Sequence, residues 1–305
     1  CWKVDCETSN SCYDHRLMGY GQGGKPPVFS KSKEGLKPIS IPKISKMKTK
    51  LIYIILIALF VSPGNLFGQV ISPEVSEFLK LEQNQYFANR DSAYADPVYG
   101  LKKLIYGNRR FAEDKSINPR QTDQDLKNTE AGQAPFAIII GCADSRVPNE
   151  IIFDQGVGDL FITRTAGQVM AEASYGTIEY AVEVLKTRLI VVLGHQSCGA
   201  VDAAMKLPAN PPGHVVTLIN SIKPASLRAK AQNLPAKEAL DVAIRENVIE
   251  QVKMLRGLEP VLSRKFDGED ILIVGAVYDL QTGYVNFIEE TITSLPAFSQ
   301  KLASK

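Results

Sequence analysis

Two short stretches of this 305-residue chain gather chemically versatile side chains at close spacing. In "GCADSRVP", Cys142, Asp144 and Arg146 stand at alternate positions, and in "GHQSCGA", His195 precedes Cys198 by three residues. Two thiolates and one imidazole suit Zn2+, which favours sulfur and nitrogen donors. Three protein donors leave the fourth position to water, the layout of a catalytic rather than a structural zinc. The H-x-x-C spacing is weak evidence alone; its combination with C-x-D-x-R is strong. Arg146 lies two residues from Asp144 and should weaken that carboxylate as a metal ligand. The cation makes sense if it holds Asp144 by a charge-assisted pair.

Positioning these groups requires elements that bring residues some fifty positions apart to one place. "FAIIIGC" (136–142), "DLFITRT" (159–165) and "RLIVVLGH" (188–195) read as strands, the first and third as buried apolar runs. "ILIVGAVYDLQTGYVNFI" (271–288) gives a fourth strand and a turn into a further one. Between them, "EASYGTIEYAVEVLK" sets Ile178, Ala181, Val182 and Leu185 on one helical face, and further helical segments are expected between about 198 and 257. Residues 97–114 place Leu101, Leu104, Ile105 and Phe111 near helical spacing, whereas 118–135 reads as a turn-rich connection. Strands alternating with helices predict an α/β fold, with a mainly parallel β-sheet core flanked by α-helices, right-handed crossovers and a helical N-terminal extension. Both cysteines follow predicted strands, and ligands of open α/β sheets bind at the carboxyl ends of strands.

The N-terminal part has a different character. Residues 47–68 begin with Met47 and two lysines, continue with eleven apolar residues (51–61), and reach Pro63, Gly64 and Gly68. That order reads as a secretory signal peptide, and eleven residues fall short of the roughly 20 needed to span a bilayer. The reading predicts a secreted, periplasmic protein with no membrane span in its mature form. Residues 1–46 are polar and without apolar periodicity; they are expected to be disordered or not part of the native protein. "GYGQGGK" (19–25) fits half of a phosphate loop, but Pro26 stands where Ser or Thr is needed. Residues 69–96 are expected as a helical lead-in to one domain, 97–305. The formal charge of +2 hides an imbalance: residues 51–305 carry 25 basic and 29 acidic side chains. That balance gives no sign of a nucleic-acid surface.

"CADSRVP" together with "GHQSCGAV" resembles the β-class carbonic anhydrases, and the likeness extends through "EYAVEVLK", "REN" (245–247) and "VGAVYDLQTGYV". The resemblance implies zinc-dependent, reversible hydration of CO2 to bicarbonate and a proton by zinc-bound hydroxide. It implies one Zn2+ per subunit on Cys142, His195 and Cys198, with Asp144 paired to Arg146 and serving as an alternative ligand where that pair breaks. It also implies a pocket in which Gln133 donates a hydrogen bond to substrate, Phe161 and Tyr180 line the walls, and Gly199 lies beside the metal. A homodimer or higher homo-oligomer is implied, with active sites near the subunit interface. Ile139 stands where one family subgroup has a tryptophan for a second, inhibitory bicarbonate site; with Gln133 it favours the plant-like, non-allosteric subgroup. Two thiolates nearly cancel the metal charge, so activity is expected to rise through mildly alkaline pH.

Other readings remain at this level. A relative hydrolysing CS2 or COS would use the same donors, and a non-catalytic structural zinc would use them with the fourth position closed. Cys142 and Cys198 could instead form a disulfide in an oxidising compartment. His214 could shuttle protons or be an ordinary loop histidine. Tyr180 could be core rather than pocket.

Overall fold

The computed structural model describes residues 71–81, 89–206, 208 and 210–296. The expected signal peptide, the segment before it, the phosphate-loop-like stretch and residues 82–88 of the lead-in lie outside the described residues. Two short helices, α1 (Pro73–Leu79) and α2 (Arg90–Ala95), precede α3 (Pro97–Ala112). Ser72, Asn89 and Asp96 cap the three, each accepting a hydrogen bond from a backbone N–H of the first turn. α3 buries Leu101, Leu104 and Ile105, as their spacing predicts.

The stretch expected as a connection contains α4 (Asp123–Thr129), closed by a reciprocal capping box between Thr122 and Asp125. None of its residues is buried, so no apolar periodicity marked it in the sequence. Beyond it run β1 (Ala137–Cys142), α5 (Asn149–Ile152), β2 (Leu160–Thr165), a 3-10 turn (Ala166–Gln168), α6 (Glu172–Glu183) and β3 (Leu189–His195). Then come α7 (Gly199–Lys206), α8 (Val215–Lys230), α9 (Ala236–Arg256), α10 (Leu262–Asp267), β4 (Leu272–Tyr278), β5 (Val285–Phe287) and α11 (Glu289–Thr293). α6 stops at Glu183, so Leu185 packs against the core from beyond its end.

The strands form one sheet in the order β2-β1-β3-β4-β5, parallel except for β5, which runs antiparallel to β4. β1 and β3 are buried along their whole length, which is why they read as unbroken apolar runs. Helices cover both faces. Leu189 meets α3 beside Gly100, while Gly194, five residues on and therefore on the opposite face, meets Val248 of α9. A Cβ on Gly194 would lie 2.6 Å from Val248 Cγ2, so the glycine permits the close approach of α9 to the strand that ends in His195.

From β1 the chain crosses to β2 on one side, and β3 pairs on the other side of β1. The carboxyl ends of β1 and β3 therefore flank a topological switch point, where open α/β sheets form a crevice. Cys142 is the last residue of β1 and His195 the last of β3. Among the described residues no helix is long and apolar enough to cross a membrane.

Candidate metal centre and active site

Donor atoms of Cys142, His195 and Cys198 lie within 4.8 Å of one another at this switch point. His195 is wholly buried, and the two cysteines are 4% and 1% exposed. Residues 196 and 197 turn the chain so that Cys198 faces back toward His195; Ser197 adopts a left-handed conformation (φ 53°) to do so. The Nδ1 of His195 lies 2.8 Å from the carbonyl of Gln196, to which it donates as Nδ1–H. That tautomer leaves Nε2 as a bare lone pair, and Nε2 is buried with no hydrogen-bond partner among the described residues. A buried imidazole nitrogen without a proton partner, facing two thiols, fits a metal ion.

The thiols act as a pair. Cys142 accepts a hydrogen bond from Cys198, which lowers its pKa against the opposing effect of burial; the Gly167 amide helps. The same hydrogen bond, with burial, pushes Cys198 well up, although the amides of Ala200 and Val201 at the start of α7 oppose this. Burial and mutual repulsion disfavour ionising both thiols together; a divalent cation between them would permit two thiolates.

Asp144 stands beside the group, outside it. Arg146 donates from Nε to Oδ1 (2.9 Å) and from a terminal nitrogen to Oδ2 (2.8 Å), and its backbone amide also reaches Oδ1 (2.9 Å). This bidentate clamp, working against burial, holds the carboxyl well below the usual carboxylate range. Oδ2 lies 3.8 Å from Nε2 of His195, so the ionised carboxylate borders the space the three donors enclose.

Three groups that sequence spacing did not mark complete the surroundings. Gly167 donates its amide to Cys142 Sγ at 3.3 Å. Arg164 donates to the carbonyls of Cys142 (2.8 Å) and Asp144 (2.6 Å) and so fixes the loop leaving β1. Its signal in the sequence was a charged residue closing an otherwise uncharged strand. Asn247, within "REN", donates to the Gly167 carbonyl at 3.0 Å.

The expected pocket residues lie elsewhere in the chain. Phe161 is in register with Ile138, four residues before Cys142, or about 13 Å down the strand at the usual rise. Tyr180 packs near it, ring centroids 6.5 Å apart, and is 48% exposed, so it is not core. Gln133 is exposed and precedes β1, toward the opposite end of the sheet from Cys142. Within one chain these three do not converge on the Cys–His–Cys group. Gly199 directly follows Cys198 at the start of α7, with open space where a Cβ would stand. His214 is an exposed residue just before α8.

Comparison with known proteins places this geometry. Residues 137–285 match the family model described as carbonic anhydrase. Carbonic anhydrase 2 of Mycobacterium tuberculosis is 41% identical over 191 residues, which are 62% of this chain and 91% of that protein. A solved β-carbonic anhydrase of Aspergillus fumigatus superposes with a TM-score of 0.52 at 26% identity, covering 67% of this chain and 98% of that one. The chain is a member of the β-class carbonic anhydrases. Tetrameric β-carbonic anhydrases of Sordaria macrospora share the fold, with a TM-score of 0.51 at 24% identity over 62% of this chain and 96% of that one. In this carbonic anhydrase the family match spans the sheet from the start of β1 to the start of β5, the part that carries Cys142, Asp144, Arg146, His195 and Cys198.

Proposed function

We propose that this chain catalyses the reversible hydration of CO2 to bicarbonate and a proton, with one Zn2+ per subunit held by Cys142, His195 and Cys198. The observation that carries the reading is the buried, partnerless Nε2 of His195, grouped within 4.8 Å with the thiols of Cys142 and Cys198. When bound there, zinc would supply a Lewis acid able to acidify a water molecule. Similarity to proteins named carbonic anhydrase supports reading CO2, rather than its sulfur analogues, as the substrate.

The chain's own residues then have separate tasks. Asp144, kept ionised by Arg146, accepts a hydrogen bond from the attacking oxygen and turns its lone pair toward the carbon of CO2. Arg146 keeps that carboxylate from swinging inward to become a ligand itself. Gln196 keeps the His195 tautomer that leaves Nε2 free. Arg164 fixes the backbone on which Cys142 and Asp144 sit.

Gln133, Phe161 and Tyr180 serve the active site of a second subunit. β2 is the sheet's edge strand and only half-buried, and Tyr180 and Val184 of the neighbouring segment are exposed, so this side has an apolar surface ready for a partner. Homo-oligomerisation would complete the pocket, in keeping with the tetramers of the Sordaria relatives. Ile139 and Gln133 support the plant-like, non-allosteric subgroup. Residues 47–68 support export to the periplasm; N-terminal sequencing of the native protein tests this, and a mature chain retaining them would reject it.

Stopped-flow CO2 hydration with parallel zinc analysis tests the main reading. Activity with about one zinc per chain is expected. A folded, zinc-loaded protein without hydration activity would reject it.

A further inference from the structure

The turn of residues 166–168 reaches from the end of β2 to the thiol of Cys142. Gly167 is left-handed (φ 67°, ψ 22°), and Gln168 after it is left-handed as well (φ 47°). A glycine populates negative φ as readily as positive, and a left-handed glutamine is disfavoured. Thr165 Oγ1 donates to the Val169 carbonyl across the turn, but that bond does not touch the Gly167 peptide, so nothing within the turn fixes it. If it relaxed, the Gly167 N–H would turn away from Cys142 Sγ.

Its restraint comes from α9. Asn247, wholly buried in this 21-residue helix, donates from Nδ2 to the Gly167 carbonyl at 3.0 Å. Gly167 is thus held on both sides, its carbonyl by Asn247 and its amide on Cys142 Sγ at 3.3 Å. The space around it is closed: a Cβ would lie 2.7 Å from Ile222 Cδ1 and 3.2 Å from Ala200 Cβ. We propose that Asn247 is a positioning residue for the metal centre, holding the Gly167 amide in the geometry that hydrogen-bonds the Cys142 thiolate. The inference rests on the reading of Cys142 as a metal ligand. A hydrogen bond to a ligating thiolate offsets part of its charge and fixes the sulfur's orientation toward the metal, so the ligand is free to turn away when the bond is lost. The second contact of Cys142 is thereby set by a residue 105 positions away in sequence.

Asn247→Leu keeps the branched heavy-atom skeleton and removes the donor. Loaded with cobalt, it is expected to release metal to a chelator ~10-fold or more faster than wild type, the usual effect of losing such a partner. Its thiolate-to-cobalt charge-transfer band is expected at lower energy, a shift that a merely structural role would not produce. In wild-type protein loaded with NMR-active cadmium, the Gly167 amide proton should show coupling to the metal through the hydrogen bond, a measurement that does not depend on the variant folding. A folded Asn247→Leu with wild-type release and band overturns the proposal, and so does a folded, cadmium-loaded wild type with no coupling at Gly167. Failure of wild type to bind cobalt, cadmium or zinc would overturn the reading of Cys142 as a ligand, and this inference with it.

Discussion

Arg146 grips both oxygens of the Asp144 carboxylate, at 2.9 and 2.8 Å, from a position two residues along the same loop. The arginine side chain is 53% exposed while Asp144 is only 19% exposed, so the clamp holds the acid from the solvent side. The cation two residues from Asp144 decides where the carboxylate points. With Asp144 clamped, its Oδ2 stays 3.8 Å from His195 Nε2 and does not join the three converging donors.

Arg146→Ala is therefore expected to keep its zinc and lose CO2 hydration by about 100-fold or more, the scale of removing one positioned electrostatic group from a reacting centre. Arg146→Lys keeps the charge without the planar fork and should fall between the two. Stopped-flow rates measured beside metal content separate the effects. Full activity in Arg146→Ala would remove the pair from the mechanism.

The same clamp makes an acid-stability prediction. Arg146 lowers the Asp144 carboxyl below its unfolded value, so the folded state binds the proton less tightly than the unfolded chain. The pair's contribution to stability is then present above about pH 4, where unfolded aspartate titrates, and is lost as pH falls through the lower folded value. Arg146→Ala should be less stable than wild type at neutral pH, and the difference should shrink toward zero in acid. Urea unfolding at several pH values checks this; a difference that grew in acid would contradict the assignment.

Cys198→Ser and His195→Ala are each expected to lose metal and activity together, because either change would leave the proposed ion only two of its three buried donors. Removing zinc from wild type with a chelator should lower the melting temperature, since binding at 1,000 times Kd stabilises by about 4 kcal/mol. Restored zinc should restore it. Differential scanning calorimetry with metal analysis follows both, and a melting temperature indifferent to the chelator would mean that the three donors do not hold a metal.

Much of this was legible in the residues, for identifiable reasons. Strands buried on both faces must be apolar throughout, so β1, β3 and β4 stand out as runs of Ile, Val and Leu. Their carboxyl ends brought Cys142 and His195 together as the sheet rule requires. The short helices α4, α5, α10 and α11 were not legible, because elements of four to seven residues are too short to display a period. "REN" marks Asn247 only as part of the likeness; its link to the site, and that of Gly167, runs through the Gly167 backbone, which leaves no chemical signature in a sequence. The aromatic pair was named from family resemblance, yet only the register of β2 on β1 revealed that Phe161 sits far from its own chain's cysteine.

That separation yields the most demanding prediction. If Phe161 and Tyr180 complete the pocket of a partner subunit, a Cys198→Ser subunit still offers an intact aromatic surface, and a Phe161→Ala, Tyr180→Ala subunit still offers an intact metal centre. Each is expected to be weakly active alone. Co-refolded in equal amounts, they should form mixed pairs in which one of the two sites has both halves. In a twofold assembly that restores about one quarter of wild-type activity, half of the pairs being mixed and half of their sites whole. The recovery should depend on mixing before assembly, since preformed homo-oligomers have no reason to exchange quickly. Activity no greater than the sum of the separate variants, in mixtures shown by mass spectrometry to contain mixed pairs, would place the substrate pocket within a single chain and return Phe161 and Tyr180 to a role in packing β2 against α6.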